Sequence, residues 1–156
     1  MGDLRTFEQP FNNYMPRNNI LGTWSLESAI LSSKQDKIPI LGASPLGLLL
    51  FTEGLYFSVM VSNPAIAAFA SGDRLSGSDE ENRAVVQNSL ALFGTYEVDS
   101  EGDFLRQHIL SSSFPNWTGL DRGRDQLRLR RREDTLLETM PVGDGATVEL
   151  VWHRIE

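Results

Sequence analysis

The 156-residue sequence contains no cysteine, which excludes disulfides and thiolate metal sites. Histidine is nearly as scarce. The two present, His108 and His153, lie far apart and do not make a metal site without thiols. Paired Asp or Glu at ligand spacing is missing inside the strand-like segments, because most acids fall in turns and at one helix start. No Gly-rich loop follows a strand and opens a helix, and no Gly-x-Ser-x-Gly elbow occurs. These absences remove metalloenzymes, kinases, dinucleotide enzymes and serine hydrolases. No metal or other cofactor is expected.

Long apolar runs are also missing, and no segment approaches the roughly 18 residues of a membrane span. Residues 1–19 carry no apolar run flanked by basic residues, so no signal peptide is expected. A cytoplasmic location is the plain reading. Basic residues are the minority, 14 Lys and Arg against 21 Asp and Glu, and the net charge of −7 argues against nucleic acid as a partner. The local exception is Arg122, Arg124, Arg128, Arg130, Arg131 and Arg132. Arg128 and Arg130 share one face of a strand, with Leu127 and Leu129 opposite, as on a solvated face that ends in a turn.

What is present is enough apolar residue, 40%, for one domain of this length to bury roughly 70% of its unfolded surface. The organising stretch is Leu21 to Leu31, which opens with Gly22-Thr23-Trp24. Trp24, Leu26, Ser28 and Ile30 alternate with Ser25, Glu27 and Ala29, which predicts a strand with one packed and one wet face. Further strands are expected at Leu46 to Thr52 and Leu55 to Val61, joined by the Glu53-Gly54 turn. Gly94 to Asp99 and Phe104 to Ser113 bracket the hairpin signal Ser100-Glu101-Gly102-Asp103. Asp125 to Arg130, Thr135 to Met140 and Thr147 to Ile155 complete the set.

Between the strands, Ser62 to Ser78 is a Gly, Ser, Pro and Ala-rich connection of the length that often forms a binding loop. Ser78-Asp79-Glu80-Glu81 then reads as a capping box, with acids suited to the positive end of a helix over about 79–90. Val86, Leu90 and Phe93 give that helix an apolar stripe. Residues 1–19 read as an arm that can lie over a barrel end, anchored by Phe7, Phe11 and Tyr14, ahead of a single domain over 20–156. The expected fold is mostly β: an eight-stranded antiparallel up-and-down barrel with one inserted helix.

The Gly22-Thr23-Trp24 strand resembles the Gly-x-Trp strand of lipocalins. The set Phe69 to Leu75, Phe93 to Asp99, Phe114-Pro115-Asn116-Trp117 and Glu149-Leu150-Val151-Trp152 is similar, in order and spacing, to the small intracellular lipocalin-like domain family. The resemblance covers about Leu21 to Arg154 and implies a β-barrel with an inserted helix. It carries over no catalytic set. Family members commonly have an acid after the His-x segment, where this chain has Leu110 behind His108-Ile109, so no His–carboxylate pair is expected at that spot.

A barrel of this size holds one small ligand or is filled by its own side chains. The aromatics Trp24, Tyr56, Tyr96, Trp117 and Trp152 are candidate cavity walls. Ser28, Ser58, Thr95 and Gln107 would add sparse polar contacts, the usual pattern of a small-molecule site. The same rings equally suit a packed core. His108 and Tyr96 are the candidate acid or base, on neighbouring strands joined by the Ser100–Asp103 hairpin. Together with the resemblance, these residues point to a barrel that binds one small, largely apolar molecule. The leading mechanism is cofactor-independent cyclisation or isomerisation in a secondary-metabolite pathway of polyketide or terpenoid type. A passive carrier or sensor with the same cavity, and a scaffold with a filled barrel, are the rival readings. A homodimer is left open.

Overall fold

The computed structural model describes residues 16–156. Ten strands and one α-helix follow in order: β1 (Gly22–Ser32), β2 (Lys37–Pro39), β3 (Leu46–Phe51), β4 (Tyr56–Ser62), α1 (Asp79–Gln87), β5 (Ser89–Val98), β6 (Phe104–Ser112), β7 (Asp121–Gly123), β8 (Arg128–Arg132), β9 (Thr135–Val142) and β10 (Ala146–Arg154). A single 3₁₀ turn, Pro115–Trp117, precedes β7. The expected count of eight rises to ten because β2 and β7, three residues each, are too short to carry an alternating pattern. The expected arm anchors Phe7, Phe11 and Tyr14 lie outside the described residues.

All strands join one antiparallel sheet in the order β7-β6-β5-β4-β3-β1-β10-β9-β8, with β2 added to β1. The sheet curls into a nearly closed barrel. Its two end strands, β7 and β8, are consecutive in sequence and are not hydrogen-bonded as a ladder. The turn between them folds back on Gly123, whose carbonyl accepts from the amides of Gln126 (3.0 Å) and Leu127 (2.9 Å). Leu127 is thereby driven inward and is fully buried at the seam, closing with a side chain what the ladder leaves open.

The core is the inward set of this barrel. Phe51, Leu49, Phe57 and Val61 from β3 and β4 meet Leu92 and Tyr96 of β5, Ile109 of β6, Leu136 of β9 and Leu150 and Trp152 of β10. Burying each large apolar side chain contributes roughly 1.5–3 kcal/mol. The helix starts where its capping box predicts: the Ser78 hydroxyl accepts from the Glu81 amide, and the Glu81 carboxylate accepts from Ser78 N. It ends at Gln87, three residues short of the expected 90. From Ser89 the chain pairs with β4, so Leu90 and Phe93 of the expected helical stripe belong to β5. Here a ladder of main-chain bonds outcompetes three more residues of helix.

Bulges decide which way several side chains point. Leu26 pairs with Trp152 and Ser28 with Val151, so Glu27 is an extra residue in β1. The inward set is therefore Trp24, Leu26 and Ala29, and Ser28 and Ile30, expected inside, turn out. In β6 two shifts leave Leu105 and Leu110 unpaired. Phe104, Gln107 and Ile109 face the core, and His108 faces out. Gly94 stands opposite one of these bulges, and a Cβ there would lie 1.9 Å from the His108 carbonyl oxygen, so only glycine fits.

Candidate functional site

The two ends of the barrel differ. At one end Trp24 is wholly buried, with its indole N–H donating to the Ile20 carbonyl at 2.9 Å. The Arg154 guanidinium lies over the ring at 5.4 Å and donates to the Leu21 carbonyl. Residues 18–20 cross this end. Asn19 binds the β5–β6 hairpin through Gly102 O (2.8 Å) and Asp103 Oδ1 (2.8 Å). Tyr96 completes the plug: its hydroxyl donates to Thr52 O (2.8 Å) and accepts from Asn18 Nδ2 (2.7 Å). Burial pushes the phenol pKa up, with the Asn18 bond pulling the other way.

The other end opens into a cavity of about 710 Å³. Leu41, Val61, Leu90, Val148 and Leu150 form apolar walls, and Trp117 and Phe114 stand edge-to-face on one side at 5.6 Å. Val85, Val86 and Gln87 of α1 flank the mouth. Val86 is 72% exposed there, so the rim is apolar as well as the interior. The expected entrance past Ser62–Ser78 is corrected: α1 and the Ser113–Trp117 segment border the opening, and residues 62–78 do not line it.

A polar group underlies the cavity. Arg122, on β7, projects inward and lies over the Trp117 ring at 4.8 Å. With the Gln107 carboxamide oriented by its hydrogen bonds, its oxygen accepts from Arg122 Nε (2.9 Å) and Nη2 (2.6 Å). Deeper in, Glu138 of β9 accepts from the Trp152 indole N–H at 2.8 Å. Arg122, Gln107 and Glu138 share a small inner space of about 20 Å³. Burial raises the Glu138 pKa, against the Trp152 bond and the Arg122 charge, which lower it. Burial also lowers the Arg122 pKa, opposed by Glu138.

Of the sequence-predicted residues, Trp117 lines the cavity and Gln107 sits beneath it. Three others do not line it. Tyr56 and Ser58 fall on the outer phase of β4, where Tyr56 is 56% exposed, and Ser28 is turned out by the β1 bulge. Tyr96 faces inward but is spent in the closed end. His108 faces solvent, where its Nδ1 meets Asp121 Oδ1 at 2.9 Å. No acid follows His108-Ile109, as expected, and the carboxylate partner comes instead from β7. Tyr96 and His108 lie on opposite faces of the sheet, so the structure does not bring them together. Arg122 and Glu138 were missed as a site. Arg122 stands in a polar, arginine-rich run and Glu138 between the apolar Leu136 and Met140, and the β7–β6 and β9–β10 pairings place both inward.

Among the described residues, no three His, Asp or Glu side chains gather as a metal site, and no helix is long and apolar enough to cross a membrane.

A curled antiparallel sheet with one sealed end, one open apolar cavity and a helix at its mouth defines a small lipocalin-type barrel. The chain belongs to the lipocalin-like domain family, which matches residues 21–155. A de novo designed fluorescence-activating β-barrel is a similar solved structure, at 15% identity, with 87% of this chain and 94% of that one covered and a TM-score of 0.40. A search of curated proteins finds no match.

Proposed function

We propose that the protein binds one small, largely apolar organic molecule in the open-end cavity and serves as its carrier or sensor. The observation that carries the reading is the cavity, whose volume of about 710 Å³ falls within the range of small-molecule sites. Its walls are aliphatic and aromatic, with few polar groups to orient a ligand. The filled-barrel reading fits the sealed end but not this one. With the proposal goes a cytoplasmic protein of one domain over 20–156 behind an N-terminal arm, and no nucleic-acid partner.

The test is a titration with Nile red, a neutral apolar dye whose emission rises out of water. Saturable binding and a raised melting temperature are expected, since a ligand at about 100 times its Kd stabilises by ~2.7 kcal/mol. Val148→Trp, which fills the cavity from β10, should weaken binding about ten-fold or more. Unchanged affinity in a folded variant would place the dye elsewhere.

Cofactor-independent cyclisation or isomerisation of a polyketide or terpenoid substrate is the second reading. Glu138 favours it, as a carboxyl whose pKa burial raises, close beneath the cavity, the direction a general acid needs. Its measurement compares wild type with Glu138→Gln on the candidate substrate. A wild-type rate no faster than the spontaneous reaction leaves the carrier.

A further inference from the structure

We infer that the cavity takes a monocarboxylic acid with an apolar body, its carboxylate received by Arg122. The inference rests on the binding reading above and gives it a substrate class. Among the described residues Arg122 is the only charged side chain lining the cavity; the other polar ones, Gln87, Ser89, Ser113 and Gln126, are neutral. A chain of net charge −7 thus presents one positive charge to its apolar interior.

The orientation of the guanidinium supports this. Gln107 occupies the Nε–Nη2 edge, and Trp117 covers one face at 4.8 Å. These two contacts fix the plane of the group. Nη1 points toward Met140 Sδ at 3.6 Å, a weak acceptor that itself lines the cavity. The Nη1–Nη2 end of the fork is therefore offered toward the cavity, held rigidly and matched in geometry to two carboxylate oxygens. Glu138 feels the charge of Arg122, but the two form no ion pair within 4.0 Å among the described residues. A cation withdrawn from water without a paired anion is costly, and a ligand carboxylate at this point offsets that cost.

Head-group selection is the test, using decanoate, decanol and decylamine to displace Nile red near neutral pH. Wild type should bind decanoate about ten-fold more tightly than decanol, with decylamine weakest. Arg122→Met should erase the advantage of decanoate over decanol, read as the ratio of the two displacement constants within that variant. Should that variant fail to fold, Arg122→Lys serves instead: it keeps the charge, loses the planar fork, and should retain only part of the preference. Equal binding of decanoate and decanol, a preference for decylamine, or a preference that survives Arg122→Met would overturn the inference. Nile red binding with a flat head-group series rejects this inference alone. Failure of Nile red and all three probes to bind rejects the binding reading with it.

Discussion

The sealed and open ends of the barrel are built from the same ten strands, yet one is solid and the other hollow. At the sealed end the large polar side chains find protein partners, Trp24 with Ile20, Tyr96 with Thr52 and Asn18, and Arg154 with Leu21, while Asn18 Oδ1 is left buried without one. At the open end α1 stands at the mouth with none of its residues buried. The buried rings of Trp24 and Tyr96 fill the first end. Aliphatic and aromatic walls surround the open space of the second. Stability is thus concentrated where ligand access is closed, and the site occupies the less densely packed half.

Breaking that contrast at its strongest point means removing Trp24. Trp24→Ala should cost ~3–5 kcal/mol, read from the shift of a urea unfolding curve. A loss under about 1 kcal/mol would show that the sealed end does not hold the barrel.

The next effect in size concerns the polar group beneath the cavity and is read against pH. Burial raises the Glu138 carboxyl above its ordinary value of 4.5, so the folded chain keeps that proton longer than the unfolded chain. The stability linked to it is full below the ordinary value and is lost as pH rises through the raised one. Glu138→Gln retains an acceptor for Trp152 and removes the titration. The variant should match wild type below about pH 4 and be the more stable of the two at neutral pH. Parallel unfolding curves at all pH values would refute the burial of that charge.

At the mouth, Ser78→Ala removes the cap of α1 and should cost the helix ~1 kcal/mol. Because α1 buries none of its residues, the change should appear as faster amide exchange over Asp79–Gln87 and much less in global unfolding. Equal loss in both would tie the helix into the barrel core.

The smallest effect belongs to the outer face. His108 and Asp121 form an exposed pair, and such pairs contribute ~0–1 kcal/mol. His108→Ala should leave Nile red affinity within about two-fold, in contrast to the loss expected from Val148→Trp. A large loss of binding in His108→Ala would bring the outer face into the site.

The sequence by itself determined the class of fold, the helix start and the outward face of Arg128 and Arg130. Alternation at Trp24–Leu26, Phe57–Val61 and Leu127–Arg130 is local, and so are the Ser78–Glu81 capping pair and the hairpin glycine Gly102. Neighbours in the chain suffice to express them. The candidate site was legible only in part, through Trp117 and Gln107. Tertiary structure decided the rest, because a strand's period of two assigns faces only until an extra residue interrupts it. Bulges at Glu27, Leu105 and Leu110 are properties of strand pairs, not of one strand, and they turned Ser28 and His108 away from the cavity. Arg122 and Glu138 come inward without a bulge in their own pairings. Each takes its face from the strand it pairs with, Gln107 and Leu150 being the residues opposite them, and no spacing along the chain encodes that meeting.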